Sequence, residues 1–372
     1  MKNLGFGLMR LPLNNPEDAQ DINISEMQKM VDQFMQKGFS YYDTSYVYHN
    51  GASETAFRET VVKKYPRSSY TITDKMPMFM IQSEDQLEPI FQETLERLGV
   101  EYLDYYWLHS LTRSTYETSQ RIHAFEFIQK KQAEGKIKHI GFSFHDKADV
   151  LEDILKAHPE MEFVQLQLNY LDWEDETIQS RKCYELCEKY GKQVIVMEPL
   201  KGGSLVNVPP EVASMFQTYA PQASIASWGI RFAASLKNVI MVLSGMSTQA
   251  QMQDNLSFME DFQPLNPEEM SLVQRAAEMI RGSIAVPCTA CHYCDGCPQD
   301  IPIPEYFAIY NNLKRFGEDQ IIVATTYYNS IAQHRGKASQ CIACGRCEQH
   351  CPQHIPIIEE LKHVVSDVEK AR

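Results

Sequence analysis

Along residues 1–262, short β-branched and aromatic runs alternate with stretches whose apolar residues recur every three or four positions. The first kind predicts strands at 4–8, 39–44, 70–76, 102–109, 137–144, 163–170, 193–199 and 238–245. Two of them, Val194 to Met197 and Val239 to Leu243, are apolar without interruption, as strands of a parallel sheet covered on both faces require. The second kind predicts helices at 25–37, 53–64, 83–98, 118–134, 147–157, 175–190, 222–236 and 249–259. In 25–37, Met27, Met30, Val31 and Phe34 form one stripe, and Gly38 stops the helix. Ser83 and Gln86 stand at capping-box spacing, and Gly99 closes the helix they open. Eight strands, each followed by a helix, predict an α/β fold, a (β/α)8 TIM barrel. The rival is a doubly wound open sheet. It would carry a G-x-G-x-x-G turn after an early strand, and the chain has none.

The pattern changes near residue 263. FQPLNPEE, with two prolines, predicts a linker into a helix at 267–281, so 1–262 forms the barrel and 263–282 a linker and helix. Residues 283–372 then form a small, mainly helical domain with helical character over 305–334. It contains an echo: Cys297-Pro-Gln-Asp-Ile-Pro-Ile against Cys351-Pro-Gln-His-Ile-Pro-Ile. Eight of the ten cysteines lie between 288 and 351. Cys183 and Cys187, at i, i+4 on a helix, read as half-buried packing residues.

The spacing of the eight changes the picture. Cys341-x2-Cys344-x2-Cys347-x3-Cys351-Pro352 is the bacterial ferredoxin run for a [4Fe–4S] cluster. The earlier run, Cys288, Cys291, Cys294 and Cys297, is one residue shorter before its last cysteine. The cross-ligation rule assigns Cys288, Cys291, Cys294 and Cys351 to one cluster, and Cys341, Cys344, Cys347 and Cys297 to the other. Two four-cysteine zinc sites are the rival reading.

Charge and hydropathy exclude other classes. The 35 Lys+Arg against 49 Asp+Glu give a net charge of −14, and no basic block offers a footprint for nucleic acid. The longest apolar runs fall far short of the ~20 residues that span a bilayer. The N-terminus meets Gly and Pro early and lacks a long apolar segment, which predicts no signal peptide and a cytoplasmic location.

Barrel enzymes carry their chemistry at the C-terminal ends of strands. Here those ends present Asp43, Lys75 and His109 on three consecutive strands, with Tyr48 on the loop past the first. Gathering four ionisable side chains at one mouth is costly without a purpose.

The series Asp43-Thr44-Ser45-x-x-Tyr48, Lys75, His109 resembles the catalytic tetrad of the aldo-keto reductase family. GFGLMRLP at the start, GASE after Tyr48, IGFS at 140–143, Gln165 in VQLQLNY and EPLKGG at 198–203 extend the resemblance over about residues 1–262. With its tail, the chain is similar to members that end in a ferredoxin-type domain. The resemblance implies an oxidoreductase using NADP or NAD, with hydride delivered to a carbonyl of a small-molecule substrate. Tyr48 would donate the proton, Asp43 would hold Lys75, and His109 would orient the substrate oxygen. A Lys75 ammonium about 4 Å from the phenol, at an effective dielectric near 20, is worth about 4 kcal/mol, or close to three pKa units, which predicts Tyr48 titrating near neutrality.

The resemblance also places cofactor contacts at Ser143 and Gln165, at Met197, Leu200, Lys201 and Gly203 in a covering loop, and at Gly245, Met246, Ser247, Gln251 and Asn255 around the adenosine end. Phe144 stands where an Asn commonly follows the Ser, Met197 where an aromatic often stacks on the nicotinamide, and Gly245 and Gln251 where basic residues usually grip the 2′-phosphate. Tyr116 and Trp173 are candidate walls of the substrate site. A hydride carries two electrons and a [4Fe–4S] cluster one, so three readings compete. The chain is an electron relay with a redox partner protein, a carbonyl reductase with structural clusters, or an accessory subunit.

Overall fold

The computed structural model describes residues 2–176, 178–282, 284–316 and 321–371. The chain divides into two compact units. The first comprises Met1–Glu174, Gln179–Pro199 and Ala226–Pro267, and the second Asp175–Ile178, Leu200–Ile225 and Glu268–Arg372.

The first unit is a closed barrel of eight parallel strands in sequence order. They are β1 (Leu4–Gly7), β2 (Tyr41–Asp43), β3 (Thr71–Met76), β4 (Leu103–Leu111), β5 (Ile137–Phe144), β6 (Phe163–Gln167), β7 (Gln193–Met197) and β8 (Val239–Ser244). β8 pairs with β1, so no sheet edge is left, and the open-sheet rival is excluded.

The strand period of two decides what fills the barrel. Tyr41, Trp107, Phe163, Ile195, Met241 and Leu243 form one buried cluster. Two positions further toward the C-terminal ends of β2, β4 and β6, the same alternation sets Asp43, His109 and Gln165. An apolar layer thus underlies a polar one. Gly141 on β5 makes room for the lower layer. A Cβ there would stand 2.3 Å from Phe163 O and 2.4 Å from the Trp107 ring.

The helices largely follow their apolar stripes. Ile24–Gln36 buries Met27, Met30, Val31 and Phe34 as its pattern requires, and Gly38 takes φ 77 just past its end. Residues 53–64 form a short helix, Ala52–Phe57, continued by a π turn, Arg58–Val62. The single helix expected over 118–134 is two, Arg113–Arg121 and Ala124–Ala133, because His123 adopts φ 55. That turn re-aims the chain so that Phe125 and Ile128 are buried. Cys183 and Cys187 on Ser180–Lys189 are deeper than expected, at 2% and 0% exposure.

In the second unit the segment expected to be helical over 305–334 is two helices, Ile303–Phe316 and Ile321–Ala332. Helices Pro210–Tyr219 and Ile357–Val364 were not anticipated, although Pro210 at the first helical position is a start signal. Both halves of the echo enter one core: Ile301 and Ile303 from the first, Ile355 and Ile357 from the second, with Tyr306, Phe307 and Tyr328. The rings of Tyr306 and Tyr328 stack at 4.4 Å. Among the described residues no helix is long and apolar enough to cross a membrane.

The Gly141 contact gives a direct test. Gly141→Ala adds a methyl where backbone and indole already close the space, so thermal or urea unfolding should show a loss of about 1–3 kcal/mol.

Candidate functional site

Tyr48 is set in place by its neighbours in the chain. His49, Asn50 and Gly51 all take positive φ, at 53, 51 and 87°, which folds the chain back sharply just past Tyr48. His49 anchors that turn. Its Nε2 accepts from Leu11 N at 3.1 Å, and its Nδ1 lies 2.8 Å from Ala19 O.

Closure of the barrel sets β3 beside β2, with Asp43 opposite Thr73. Lys75, two residues on, has no exposed surface. Its Nζ donates to Asp43 Oδ1 at 2.6 Å, to Thr44 O at 2.5 Å and to Tyr48 Oη at 3.3 Å. Gln165 braces the other carboxylate oxygen of Asp43 from across the barrel at 3.4 Å. His109 is 1% exposed, with Nδ1 3.1 Å from Ser45 Oγ. Its ring meets Tyr48 edge-on at 6.1 Å and Phe79 at 5.6 Å. The four side chains singled out at strand ends therefore stand together.

Their protonation differs from the expectation at one point. Tyr48 does not titrate near neutrality. Burial pushes its phenol well above the ordinary value, and Asp43, Asp74 and Glu198 add to the rise. The physical reason is visible in the bonding of Lys75, whose charge is matched by Asp43 at shorter range than it reaches the phenol. Burial also raises the Asp43 carboxyl, while Lys75 pulls it back down. His109 is held well below the usual histidine value by burial, then by Lys75 and His145, so its imidazole is neutral.

The expected cofactor contacts fall into two groups. In the first unit, Ser143 Oγ accepts from Ser110 N at 2.7 Å. Ser247 N donates to Gln251 Oε1 at 2.7 Å, and Asn255 Nδ2 to Ser244 Oγ at 2.7 Å. Met246 is buried and Met197 partly so. Leu200, Lys201 and Gly203 group instead with the second unit. Sequence reasoning missed Arg10. Ser247 Oγ donates to Arg10 O at 2.7 Å, and a Cβ on Gly245 would lie 3.5 Å from the Arg10 side chain. A cation therefore stands by the segment that carries none of its own, brought from 235 positions away in the chain. Ser45 and Phe79 were also missed, although both lie just past strand ends. Tyr116 and Trp173, the candidate walls, are both packed on other rings. Tyr116 packs edge-on against Phe125 and His158, and Trp173 packs on Tyr184 and Phe232.

The cysteine runs show the echo in their backbone. Ala290 and His292 take positive φ in the first run, as Ala343 and Gly345 do in the second. Asp300 and His354 match in the same way. Cys288, Cys291, Cys294 and Cys351 line one small cavity, with Ile303, Phe307 and Ile355 among the other walls. Among the described residues no three His, Cys, Asp or Glu side chains gather closely enough to share one metal ion. Four thiols around one space can each meet its own iron in a [4Fe–4S] cube, and a single zinc would draw the same four sulfurs to about 2.3 Å from one point. Burial, then the neighbouring thiols, drives the Cys294 thiol far up.

Comparison with known proteins gives the family and the fold. The model of the aldo/keto reductase family matches residues 3–278, and that of a 4Fe-4S dicluster domain matches 287–355. An uncharacterized oxidoreductase, YtbE, of Bacillus subtilis (strain 168) is 27% identical over 259 residues, 69% of this chain and 86% of that protein. The holo form of aldo-keto reductase AKR11C1 from Bacillus halodurans superposes with a TM-score of 0.58 at 21% identity, covering 74% of this chain and 91% of that one. An aldo/keto reductase from Klebsiella pneumoniae, solved in complex with NADP and acetate, gives 0.58 at 16% identity, covering 73% and 90%.

The buried ion pair predicts an asymmetry. Lys75→Met strands the Asp43 carboxylate and should destabilise the fold by about 3–5 kcal/mol, whereas adding Asp43→Asn should restore most of the loss in a denaturant melt.

Proposed function

This chain belongs to the aldo/keto reductase family of oxidoreductases and carries a 4Fe-4S domain, and from that premise we propose that it reduces the carbonyl of a small-molecule substrate with Tyr48 as proton donor. The observation that carries the reading is the contact of Lys75 Nζ with both Asp43 Oδ1, at 2.6 Å, and Tyr48 Oη, at 3.3 Å.

A nicotinamide cofactor, when bound, supplies the hydride. The residues that fit it are Ser143 and Gln165 at the strand ends and Ser247, Gln251 and Asn255 around the adenosine end, with Arg10 giving the charge that favours NADP. The chain's own residues manage the proton. Tyr48 stays protonated at neutral pH because burial holds its phenol, so it arrives at the substrate oxygen loaded. As the proton leaves, the oxygen becomes anionic beside Lys75, whose ammonium stabilises the developing charge. Asp43 keeps Lys75 in register and acts through it as a positioning residue. In the tautomer in which Nδ1 accepts from Ser45 Oγ, neutral His109 carries its proton on Nε2, where it would donate to the same substrate oxygen. Phe79, packed on His109, offers an apolar wall.

Iron–sulfur clusters held by the eight clustered cysteines, when present, supply one-electron transfer, which calls for a redox partner protein. All ten cysteines are unbridged, so no disulfide competes for the eight clustered sulfurs.

Tyr48→Phe should lower carbonyl reduction at least about 100-fold, within the range of a lost general acid, while binding of the nicotinamide cofactor persists by fluorescence. Retained reduction contradicts the assignment. In wild-type protein the high phenol value gives a reduction rate flat through neutral pH. Alcohol oxidation needs the phenolate, so it should rise about tenfold per pH unit over the same range.

A further inference from the structure

Lys201, expected at the nicotinamide cofactor, makes a different contact. It is 2% exposed, and its Nζ donates to Gln353 Oε1 at 3.1 Å. Gln353 is itself 4% exposed and lies two residues past Cys351. Its side chain lines the same cavity as Cys288, Cys291, Cys294 and Cys351.

The next residue repeats the theme on the other ligand-bearing segment. Gly202, at φ 64, passes so close to Thr289 that a Cβ would stand 2.1 Å from Thr289 O. Thr289 follows Cys288 directly and lines the cavity as well. Two successive loop residues therefore fix both chain segments that bring thiols to this one space.

The repeat supplies an internal control. Gln299 holds the position of Gln353 in the first half of the echo, and its side-chain amide donates to Pro298 O at 3.5 Å. Gly336 packs on the Gln299 carbonyl, at 1.8 Å from a Cβ built there, much as Gly202 packs on Thr289. A close glycine contact thus falls on Thr289, beside Cys288, and another on Gln299, beside Cys297, while the lysine contact is made on Gln353 and has no counterpart on Gln299.

We propose that Lys201 is a positioning residue of the cluster site formed by Cys288, Cys291, Cys294 and Cys351, and that its charge raises the reduction potential of that cluster. The inference rests on reading those four cysteines as cluster ligands. Four thiolates leave a [4Fe–4S] centre with net negative charge, and reduction adds one more. A cation one hydrogen bond from the cavity wall, in a medium that screens poorly, favours the added electron. Lys201 also lies four residues past Met197, the last residue of β7, so the barrel strand and the cluster's electrostatic surroundings share one short stretch of chain.

The test is an EPR-monitored reductive titration of the full-length protein made without oxygen, with iron and sulfide measured on the same samples. Lys201→Met should move one of the two cluster potentials to more negative values and leave the other in place at unchanged iron content. Lys201→Arg should restore it. Potentials in Lys201→Met that match wild type, or that move together, overturn the proposal. Should Lys201→Met lose iron, Gln353→Leu decides, because it keeps the lysine and breaks the bond. A shift confined to one cluster supports the proposal, and unshifted potentials overturn it. Wild-type protein without iron refutes the cluster reading itself, a separate failure.

Discussion

A lysine with no surface in water is the constraint around which the barrel mouth is arranged. An ammonium buried without partners is untenable, so Lys75 needs acceptors within hydrogen-bond reach. They come from one neighbouring strand and its loop: Asp43, the Thr44 carbonyl and the Tyr48 hydroxyl. Asp43 in turn needs bracing, which Gln165 provides from β6. The barrel must be closed, with β2 beside β3 and β6 across from them, for these bonds to exist. The same bonds explain the phenol. Lys75 is matched by Asp43, so burial rather than the lysine charge governs Tyr48, and the site holds a ready proton instead of a half-ionised group.

Much of this was legible because strand chemistry is local. Val194 to Met197 and Val239 to Leu243 read as buried strands without help from any distant residue, and Asp43, Lys75 and His109 stand out because polar groups at strand ends are unusual. What escaped was set by distance in the chain. Arg10 reaches the 245–247 segment through the β1–β8 pairing that closes the barrel, and nothing in the composition of that segment points to it. The break at His123 depends on one residue adopting a left-handed conformation. The charge balance on Tyr48 was misjudged for a similar reason. A pairwise estimate with Lys75 omitted the cost of removing the phenol from water.

In the second unit the cysteine spacing carried most of the information, and the backbone explains why it works. The matched left-handed residues, Ala290 with Ala343 and Asp300 with His354, repeat the same loop around each run. Both Ile-Pro-Ile segments then meet in one core. The symmetry is broken where the Leu200–Gly203 loop meets Thr289 and Gln353, beside one of the two cysteine sets. That loop was assigned by resemblance to the nicotinamide cofactor. Its bond to Gln353 sets it instead beside the cysteine-lined cavity, a contact that no spacing rule contains.

The central claim is that burial keeps the Tyr48 phenol protonated while Lys75 is held by Asp43. The most direct measurement is the tyrosinate difference absorbance of wild-type protein against Tyr48→Phe, followed from neutral pH up through the ordinary tyrosine range. The account predicts no ionisation assignable to Tyr48 until the pH exceeds that range. A tyrosinate signal that appears near neutral pH in wild type and is absent from Tyr48→Phe would contradict it.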